Sequence, residues 1–227
     1  MTRIVISLGL LVAFAVAPLA SSAALVTVPT DLSPGDQYRL VFTTHTNTDA
    51  SSTDIADYNA YVTAEANTIP ELLALATTWK VIGSTAAVAA RDNTGTNPTV
   101  DATGVPIYTL ADTRMADTNT DLWDGSIDSV PIDSLGNVLV FSEGIWTGST
   151  TSGTPFASQE LGASSIRFGN PVVTDSRWIS NSAIGPPEHN RFYAMSDVLT
   201  VVPEPGSIAL AAFGIVVVAW GWWRRKR

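Results

Sequence analysis

The chain has 227 residues with 12 Lys and Arg against 21 Asp and Glu, which gives a formal net charge of −9 at pH 7. This acidic balance argues against nucleic acid as a partner, because surfaces that bind nucleic acid carry a positive patch. Cysteine is absent, which excludes disulfides, thiol catalysis and cysteine-ligated zinc.

The first residues have the pattern of a secretory leader. Arg3 precedes an apolar run over residues 4–17, and small residues suited to signal peptidase follow at 20–24. We predict a signal peptide over residues 1–23 with cleavage after Ala23, Ala24 being the alternative, and an exported domain over residues 24–201. The part from 24 to 203 holds seven basic and 20 acidic residues, an excess that favours solubility.

Two helices are expected early in the exported part. A strand rich in β-forming residues is predicted over 37–44 after the turn at Ser33-Pro34-Gly35-Asp36. Apolar residues then recur at three- and four-residue spacing, which predicts an amphipathic helix from Asp54 to about Asn67, with Ser52 and Thr53 as candidate caps. A second helix is predicted to begin at Pro70 and run to about residue 75, followed by a short strand over 79–82.

The remainder of the exported part is predicted to consist of loops and short strands. A turn cluster spans residues 91–98, a short apolar element 105–110, and a polar segment 117–125. Short strands are expected over 138–141, 144–148, 175–179 and, last, 191–201. Two early helices and many later strands predict an α+β domain.

The order of several short motifs resembles a known fold. These motifs are residues 105–110, 122–125, 145–148, Trp178 and the terminal Phe192-Tyr193-Ala194. Together they are similar to the endostatin-like branch of the C-type-lectin-like fold, which implies a single domain of short antiparallel strands with the tryptophans in its core. Disulfide-bearing members place a cysteine where this chain has Ala194. The calcium-and-sugar motifs of sugar-binding members are not present, so the resemblance does not carry a sugar site.

An acidic segment offers a candidate calcium site. Asp117, Asn119 and Asp121 supply oxygen atoms at alternate positions, and Asp128 stands where a twelve-residue calcium loop would end. The sixth position, where such a loop has glycine, is Leu122. An ordinary capped helical turn explains the same residues, since Asp and Asn favour helix starts. Ca²⁺ is the one cofactor that the sequence suggests.

No motif for catalysis is present in the sequence. His45 and His189 have no metal-binding companion and are expected to be exposed loop residues. A triad of Ser196, His189 and Asp175 can be written down, but no sequence motif joins these residues. We therefore expect no enzyme and no catalytic residues. The alternative is a secreted hydrolase acting on polysaccharide, with Asp121 and Asp124 as its paired carboxylates.

The end of the chain has three parts over residues 202–227. Pro203, Glu204 and Pro205 come first, an uncharged apolar stretch over 207–223 follows, and four cations end the chain: Arg224, Arg225, Lys226 and Arg227. The apolar stretch predicts a transmembrane helix, and the cations predict a cytoplasmic C-terminus. The two prolines disfavour helix and leave an accessible peptide outside the bilayer.

This tripartite end resembles the PEP-CTERM sorting signal. The resemblance implies recognition by an exosortase, which cuts near Pro-Glu-Pro and sends the protein to the cell envelope or the exterior; a permanent membrane anchor is the alternative. It also implies a link to exopolysaccharide and biofilm. We expect an exported envelope or extracellular matrix protein that acts as a binding or structural module. Its expected partners are signal peptidase, exosortase, the membrane until cleavage, and extracellular polysaccharide.

Overall fold

The computed structural model describes residues 24–140, 144–185 and 188–203. These residues form an α+β domain in which a nine-stranded sheet dominates over short helices, so the predicted fold class is confirmed. The helices are α1 (Ile55–Ala66), α2 (Pro70–Leu73), α3 (Ala90–Asn93) and α4 (Asn119–Leu122). The strands are β1 (Gln37–Thr43), β2 (Trp79–Val81), β3 (Ile107–Thr109), β4 (Arg114–Ala116), β5 (Ile145–Trp146), β6 (Ile166–Gly169), β7 (Ser182–Ile184), β8 (Arg191–Ser196) and β9 (Leu199–Thr200).

The sheet is mixed rather than wholly antiparallel. Its main path runs β4-β3-β1-β8-β5-β6-β7, with β2 paired to β8 and β9 paired to β1. β1 runs parallel to β3, and β5 runs parallel to β8. The expectation of antiparallel strands is therefore wrong for these two pairs. The long connection from β1 to β3, which carries α1 and α2, supplies the crossover that a parallel pair needs.

Strand β1 lies between two hydrophobic cores. Tyr38, Leu40 and Phe42 are at most 1% exposed and face the core beneath α1 and α2. Val41 points to the opposite core, which contains Trp123, Trp178 and residues of β3, β4, β5 and β8. Because successive side chains of a strand alternate between faces, a strand buried on both faces reads as a nearly continuous apolar run, as β1 does.

Helix α1 forms where the spacing predicts it, and its buried face includes Tyr58 and Val62. Its cap differs from the prediction. Asp54, not Ser52 or Thr53, is the N-cap, and its side chain accepts the N–H of Ala56 at 2.9 Å. Ser52 instead supports the cap, since its Oγ accepts the N–H of Asp54 at 3.1 Å. Helix α2 begins at Pro70 as predicted and ends two residues early.

The predicted strand over 191–201 is divided into β8 and β9. Val41 pairs with Met195 and Tyr38 pairs with Leu199, so the register against β1 shifts by one residue between them. This is the geometry of a β-bulge. The Oγ of Ser196 accepts the N–H of Leu40 at 2.9 Å. The bulge leaves the N–H of Leu40 without a backbone acceptor on the neighbouring strand, and the Ser196 hydroxyl takes that place.

Three other segments differ from the predicted elements. The expected turn cluster over 91–98 includes part of the helical turn α3, and the Oγ of Ser84 accepts the N–H of Ala90, the first residue of that turn, at 2.8 Å. The expected strand over 175–179 is a 3₁₀ turn over Ser176–Trp178, capped by Asp175. Residues 138–140 of the expected strand 138–141 form no strand, and residue 141 lies outside the described residues.

Candidate functional site

The C-terminal end of the fold is closed by the pairing of β9 with β1. Val201 follows β9 and is only 7% exposed. Its N–H donates to the carbonyl oxygen of Asp36 at 2.9 Å, and its own carbonyl oxygen accepts the N–H of Gly35 at 2.8 Å. Its side chain packs into the core beneath α1 and α2. Among the residues that the structure describes, Val201 is therefore the last one that the fold holds on both its backbone and its side chain.

The chain leaves the fold one residue later. Val202 is 78% exposed, and Pro203 is exposed as well. Neither residue makes a hydrogen bond among the residues that the structure describes. The chain thus changes from a buried, hydrogen-bonded residue to an exposed one between Val201 and Val202. Glu204 and Pro205, the predicted helix 207–223 and the cations Arg224, Arg225, Lys226 and Arg227 lie outside the described residues.

The residues that follow the predicted cleavage site are held by the domain. Ala24 is exposed, whereas Leu25 packs against the core and the N–H of Val26 donates to the carbonyl oxygen of Leu110 at 2.9 Å. The hydroxyl of Tyr38 donates to the carbonyl oxygen of Thr27 at 2.7 Å. Cleavage after Ala23 would preserve all of these contacts. The predicted signal peptide, residues 1–23, lies outside the described residues.

The candidate calcium ligands lie in and around the capped turn α4. The carboxylate of Asp117 accepts from the Arg114 guanidinium at 2.7 Å, and the carboxylate of Asp121 accepts the backbone N–H of Asp117 at 2.7 Å. Asn119 is 2% exposed, and its Nδ2 donates to the carbonyl oxygen of Asp101 at 2.8 Å. Asp128 is exposed, and its backbone N–H donates to Met115.

The helical turn that competes with the calcium loop is present. Thr118 caps it by accepting the N–H of Asp121 at 3.0 Å. Within the described ranges, no group of three or more His, Asp or Glu side chains is arranged to hold a metal ion. Calcium can also be held by amide and backbone oxygens, so the proposed Ca²⁺ loop stays a prediction.

The carboxylates suggested for hydrolysis are used in local turns. Asp121 accepts from Asp117, and Asp124 accepts from the backbone N–H and the hydroxyl of Ser126, each at 2.9 Å. The tryptophans of the described residues, Trp79, Trp123, Trp146 and Trp178, are at most 6% exposed. Their prediction as core residues is confirmed, and none of them offers a surface on which a sugar could stack.

Ser196, His189 and Asp175, the residues of the hypothetical triad, do not contact one another through hydrogen bonds in the described structure. The Asp175 carboxylate accepts hydrogen bonds from the side chain and from the backbone N–H of Arg177, and these bonds lower the pKa of that carboxyl to about 2. The Ser196 hydroxyl donates to the carbonyl oxygen of Asp197 at 2.8 Å. His189 is exposed, as predicted. No hydrogen bond within the described part of the chain joins these three residues.

A buried polar cluster, which local sequence patterns do not reveal, lies beside the first strand. We call Glu65, Asp133, His45 and Ser134 the acidic cluster. Glu65 accepts from the backbone N–H of His45 and Thr46 and from the hydroxyls of Thr46 and Ser134. The carboxylate of Asp133 accepts from Nδ1 of His45 at 3.3 Å. His45 is exposed in the loop after β1, as predicted.

The acidic cluster joins segments that are far apart in sequence. Asp133 is 2% exposed and accepts the N–H groups of Leu135 at 3.0 Å and Asn137 at 2.8 Å. Burial by itself would raise the pKa of Asp133, but hydrogen bonds from Asn137, His45 and Leu135 outweigh it and lower that pKa. Its carboxylate also lies 3.4 Å from Nη1 of Arg191. The hydrogen bonds of the acidic cluster hold together the loop after β1, helix α1 and residues 133–137, which is a structural role.

Among the residues that the structure describes, no helix is long and apolar enough to cross a membrane. The curated proteins include none that matches the chain. Residues 201–226 match the family model described as the PEP-CTERM protein-sorting motif, one residue earlier than the predicted span of 202–227. The match begins at Val201, the last buried residue before the chain leaves the fold. The chain thus carries a C-terminal motif that indicates sorting by an exosortase to the cell envelope.

Proposed function

We propose that the exported domain acts as a binding or structural module of the cell envelope or extracellular matrix, linked to exopolysaccharide or biofilm. The observation that carries this proposal is the junction at Val201 and Val202. Within residues 24–140, 144–185 and 188–203, the backbone pairing of the domain extends to Val201, where the matched motif begins. Removal of everything after Pro203 would therefore release a folded domain.

The proposal treats the domain as a module without catalytic activity. The carboxylates suggested for hydrolysis, Asp121 and Asp124, accept hydrogen bonds within their own turns, and no observation favours the hydrolase. The excess of acidic residues in the exported part supports a protein that stays soluble after release. A matrix role requires that the released domain be retained by polymer outside the cell.

The finer fold assignment belongs to the same proposal. Two helices follow the first long strand, and the terminal strand with Phe192, Tyr193 and Ala194 pairs with it. On this order of elements we propose the endostatin-like branch of the C-type-lectin-like fold. Superposition of an experimental structure on members of that branch tests the assignment.

The proposed function is tested in the native host. We compare the wild-type chain with a variant in which Pro203, Glu204 and Pro205 are all replaced by alanine. The wild-type domain is expected in the extracellular matrix and to be retained on the host's own polysaccharide, while the variant stays with the membrane fraction. Release of a wild-type domain that shows no retention on that polysaccharide would contradict the matrix role.

A further inference from the structure

A small polar pocket lies beside strand β1 and the residues that precede strand β3. Its volume is about 270 Å³, and its lining includes Arg39, Gly95, Asp101, Gly104, Asn119 and Val198. Ligand pockets for drug-sized molecules span roughly 300–1,000 Å³. The volume of this pocket therefore suits a single small polar unit. We call it the Arg39 pocket.

Arg39 is the unusual group in this pocket. It is 9% exposed, and its Nη1 donates to the carbonyl oxygen of Ser196 at 2.8 Å. Within the described ranges, no carboxylate lies within ion-pair distance of it, and its Nε and Nη2 have no hydrogen-bond acceptor. Neither nitrogen is sealed from solvent. The negative charge of Asp197 acts on Arg39 without a direct ion pair, and a carboxylate that reached the two free donors would gain charge-assisted hydrogen bonds.

Two glycines line the pocket beside Arg39 and Asn119. Gly95 has φ +67°, and a Cβ at this position would lie 3.5 Å from Nη2 of Arg39. Gly104 has φ +60°, and a Cβ there would lie 2.4 Å from Oδ1 of Asn119. The two glycines place backbone alone beside the guanidinium and the amide. An arginine fork presented in this way matches the geometry of a carboxylate.

The pocket also contains an acceptor suited to a hydroxyl group. Asp101 is exposed, and its Oδ1 accepts the N–H groups of Thr103 and Gly104, each at 3.0 Å. Its second carboxylate oxygen accepts no hydrogen bond from the described residues. A ligand that bears both a carboxylate and hydroxyl groups could therefore use Arg39 and Asp101 together.

We propose that the Arg39 pocket binds a sugar unit that carries a carboxylate, the chemistry of a uronic acid residue in a polysaccharide. The carboxylate accepts from Nε and Nη2 of Arg39, and a ring hydroxyl donates to Asp101. This inference deepens the proposed function, on which it rests for the source of the sugar. Burial lowers the pKa of Arg39, but an arginine remains protonated at neutral pH.

The negative charge of Asp101 affects the binding of a charged sugar and of a neutral sugar differently. It opposes a bound carboxylate, whereas it assists a neutral sugar by accepting a hydroxyl. The substitution Asp101→Asn keeps an acceptor for Thr103 and Gly104 and removes the charge. D101N removes the hydroxyl acceptor for either sugar but removes a repulsion only for the carboxylate-bearing one. We therefore expect D101N to weaken binding of a neutral sugar more than binding of the carboxylate-bearing sugar.

The test uses the chain purified from its host in whichever form the host makes, so that it does not depend on sorting. Binding of methyl glucuronoside and of methyl glucoside is titrated by calorimetry. We expect the neutral glucoside to bind ~10- to 100-fold more weakly, since hydrogen bonds to charged groups are the stronger ones. Equal affinity of the two, or no binding of the glucuronoside, would overturn the proposal.

Substitutions then place the ligand in the pocket. Arg39→Lys keeps the charge but loses the fork, and we expect at least a several-fold loss of affinity for the glucuronoside. Because R39K could impair folding, Val198→Glu provides a second variant: Val198 lines the pocket and is 42% exposed. Its control is Val138→Glu at a position that is 75% exposed and outside the lining. Weaker binding by V198E but not V138E supports the site, and an equal effect of both refutes it.

Failure of the pocket and failure of the proposed function give different results. If the released domain is retained on the host polysaccharide but does not bind the glucuronoside, the pocket proposal is wrong and the matrix role stands. If the glucuronoside binds with the expected response to V198E, while the host polysaccharide is not retained, the pocket stands and the matrix role is wrong.

Discussion

Asp133 contributes to stability through its charge. It is almost fully buried and accepts hydrogen bonds from Leu135, Asn137 and His45. Its pKa is lowered in the folded state, so the folded state binds this proton less tightly than the unfolded chain. The stability from this group is fully present above the unfolded pKa of about 3.9 and is lost as the pH falls through the lower folded value.

The substitution Asp133→Asn tests this contribution. At pH 7 we expect the free energy of unfolding to fall by about 1–3 kcal/mol, because charge-assisted hydrogen bonds are lost. Below about pH 4, the difference between wild type and D133N should narrow as Asp133 takes up its proton. Urea unfolding at pH 7 and at lower pH measures both values. The control is D128N, since the Asp128 carboxylate is exposed and accepts no hydrogen bond from the described residues. A difference that is constant with pH would contradict the account.

Gly148 is required by its neighbours as well as by its backbone. Its φ is +59°, and a Cβ would lie 2.4 Å from the backbone nitrogen of Leu161 and 2.5 Å from the carbonyl oxygen of Ser84. Gly125 also has a positive φ, +110°, but no atom lies within 4 Å of a Cβ there. Both Gly→Ala changes strain the backbone, and only G148A adds a collision. We expect G148A to be destabilising by at least ~2 kcal/mol more than G125A in chemical denaturation. Equal losses would refute this view of Gly148.

At the scale of elements, β9 is the part of the fold nearest to the sorting motif. We compare a chain that ends after Pro203 with one that ends after Val198, which loses β9 and Val201. The shorter chain should be less stable by about 2–4 kcal/mol, because it loses the burial of Val201 and its backbone hydrogen bonds to Gly35 and Asp36. Thermal and urea unfolding of the two chains measure the loss.

The control for β9 is a change just beyond it. Val202 is 78% exposed, so V202A should alter the free energy of unfolding by no more than about 0.5 kcal/mol. If truncation after Val198 were as harmless as V202A, the fold would not end at Val201. The junction between the domain and the matched motif would then lie elsewhere in the chain.

The elements that could be predicted from the sequence are those that local patterns specify. The three- and four-residue spacing gives α1, Pro70 gives the start of α2, and the β-forming run gives β1. The elements that differ depend on distant partners. The first N–H of turn α3 donates to the Ser84 hydroxyl, and the bulge between β8 and β9 depends on pairing with β1. A single sequence contains no direct signal of either contact.

The same reason explains which parts of the sites were predictable. Pro203, Glu204 and Pro205 form a contiguous motif beside an apolar stretch and can be read locally. Asp133 and Glu65 are distant in sequence and meet only through the fold, around residues such as Ser134 and His45. Arg39 lies in an apolar strand, and a guanidinium without a carboxylate partner can be recognised only once its surroundings are known.

At the scale of the whole molecule, charge repulsion is expected to affect stability. The part from 24 to 203 has seven basic and 20 acidic residues, and several of its ion pairs, such as Arg177 with Asp175, are exposed. Like charges at this density repel one another in the compact state. Raising NaCl from about 10 mM to about 150 mM shortens the Debye length from about 30 Å to about 8 Å. The midpoint of thermal unfolding should therefore rise; a fall would show that attractive ion pairs dominate.

The C-terminal segment carries a sorting motif directly after a folded domain. Among the residues that the structure describes, the backbone pairing of the fold extends to Val201, and Val202 and Pro203 are exposed, while the motif match spans 201–226. Removal of the segment should leave the domain unchanged, whereas a permanent anchor would keep it. These two outcomes give products of different mass.

The most direct measurement is the intact mass of the protein from the membrane and extracellular fractions of its native host. We expect an extracellular species that begins near Ala24 and ends between residues 203 and 206. The variant with alanine at 203–205 should yield only membrane-bound chains that still end at Arg227. A wild-type protein found only in the membrane and still carrying Arg227 would contradict the account.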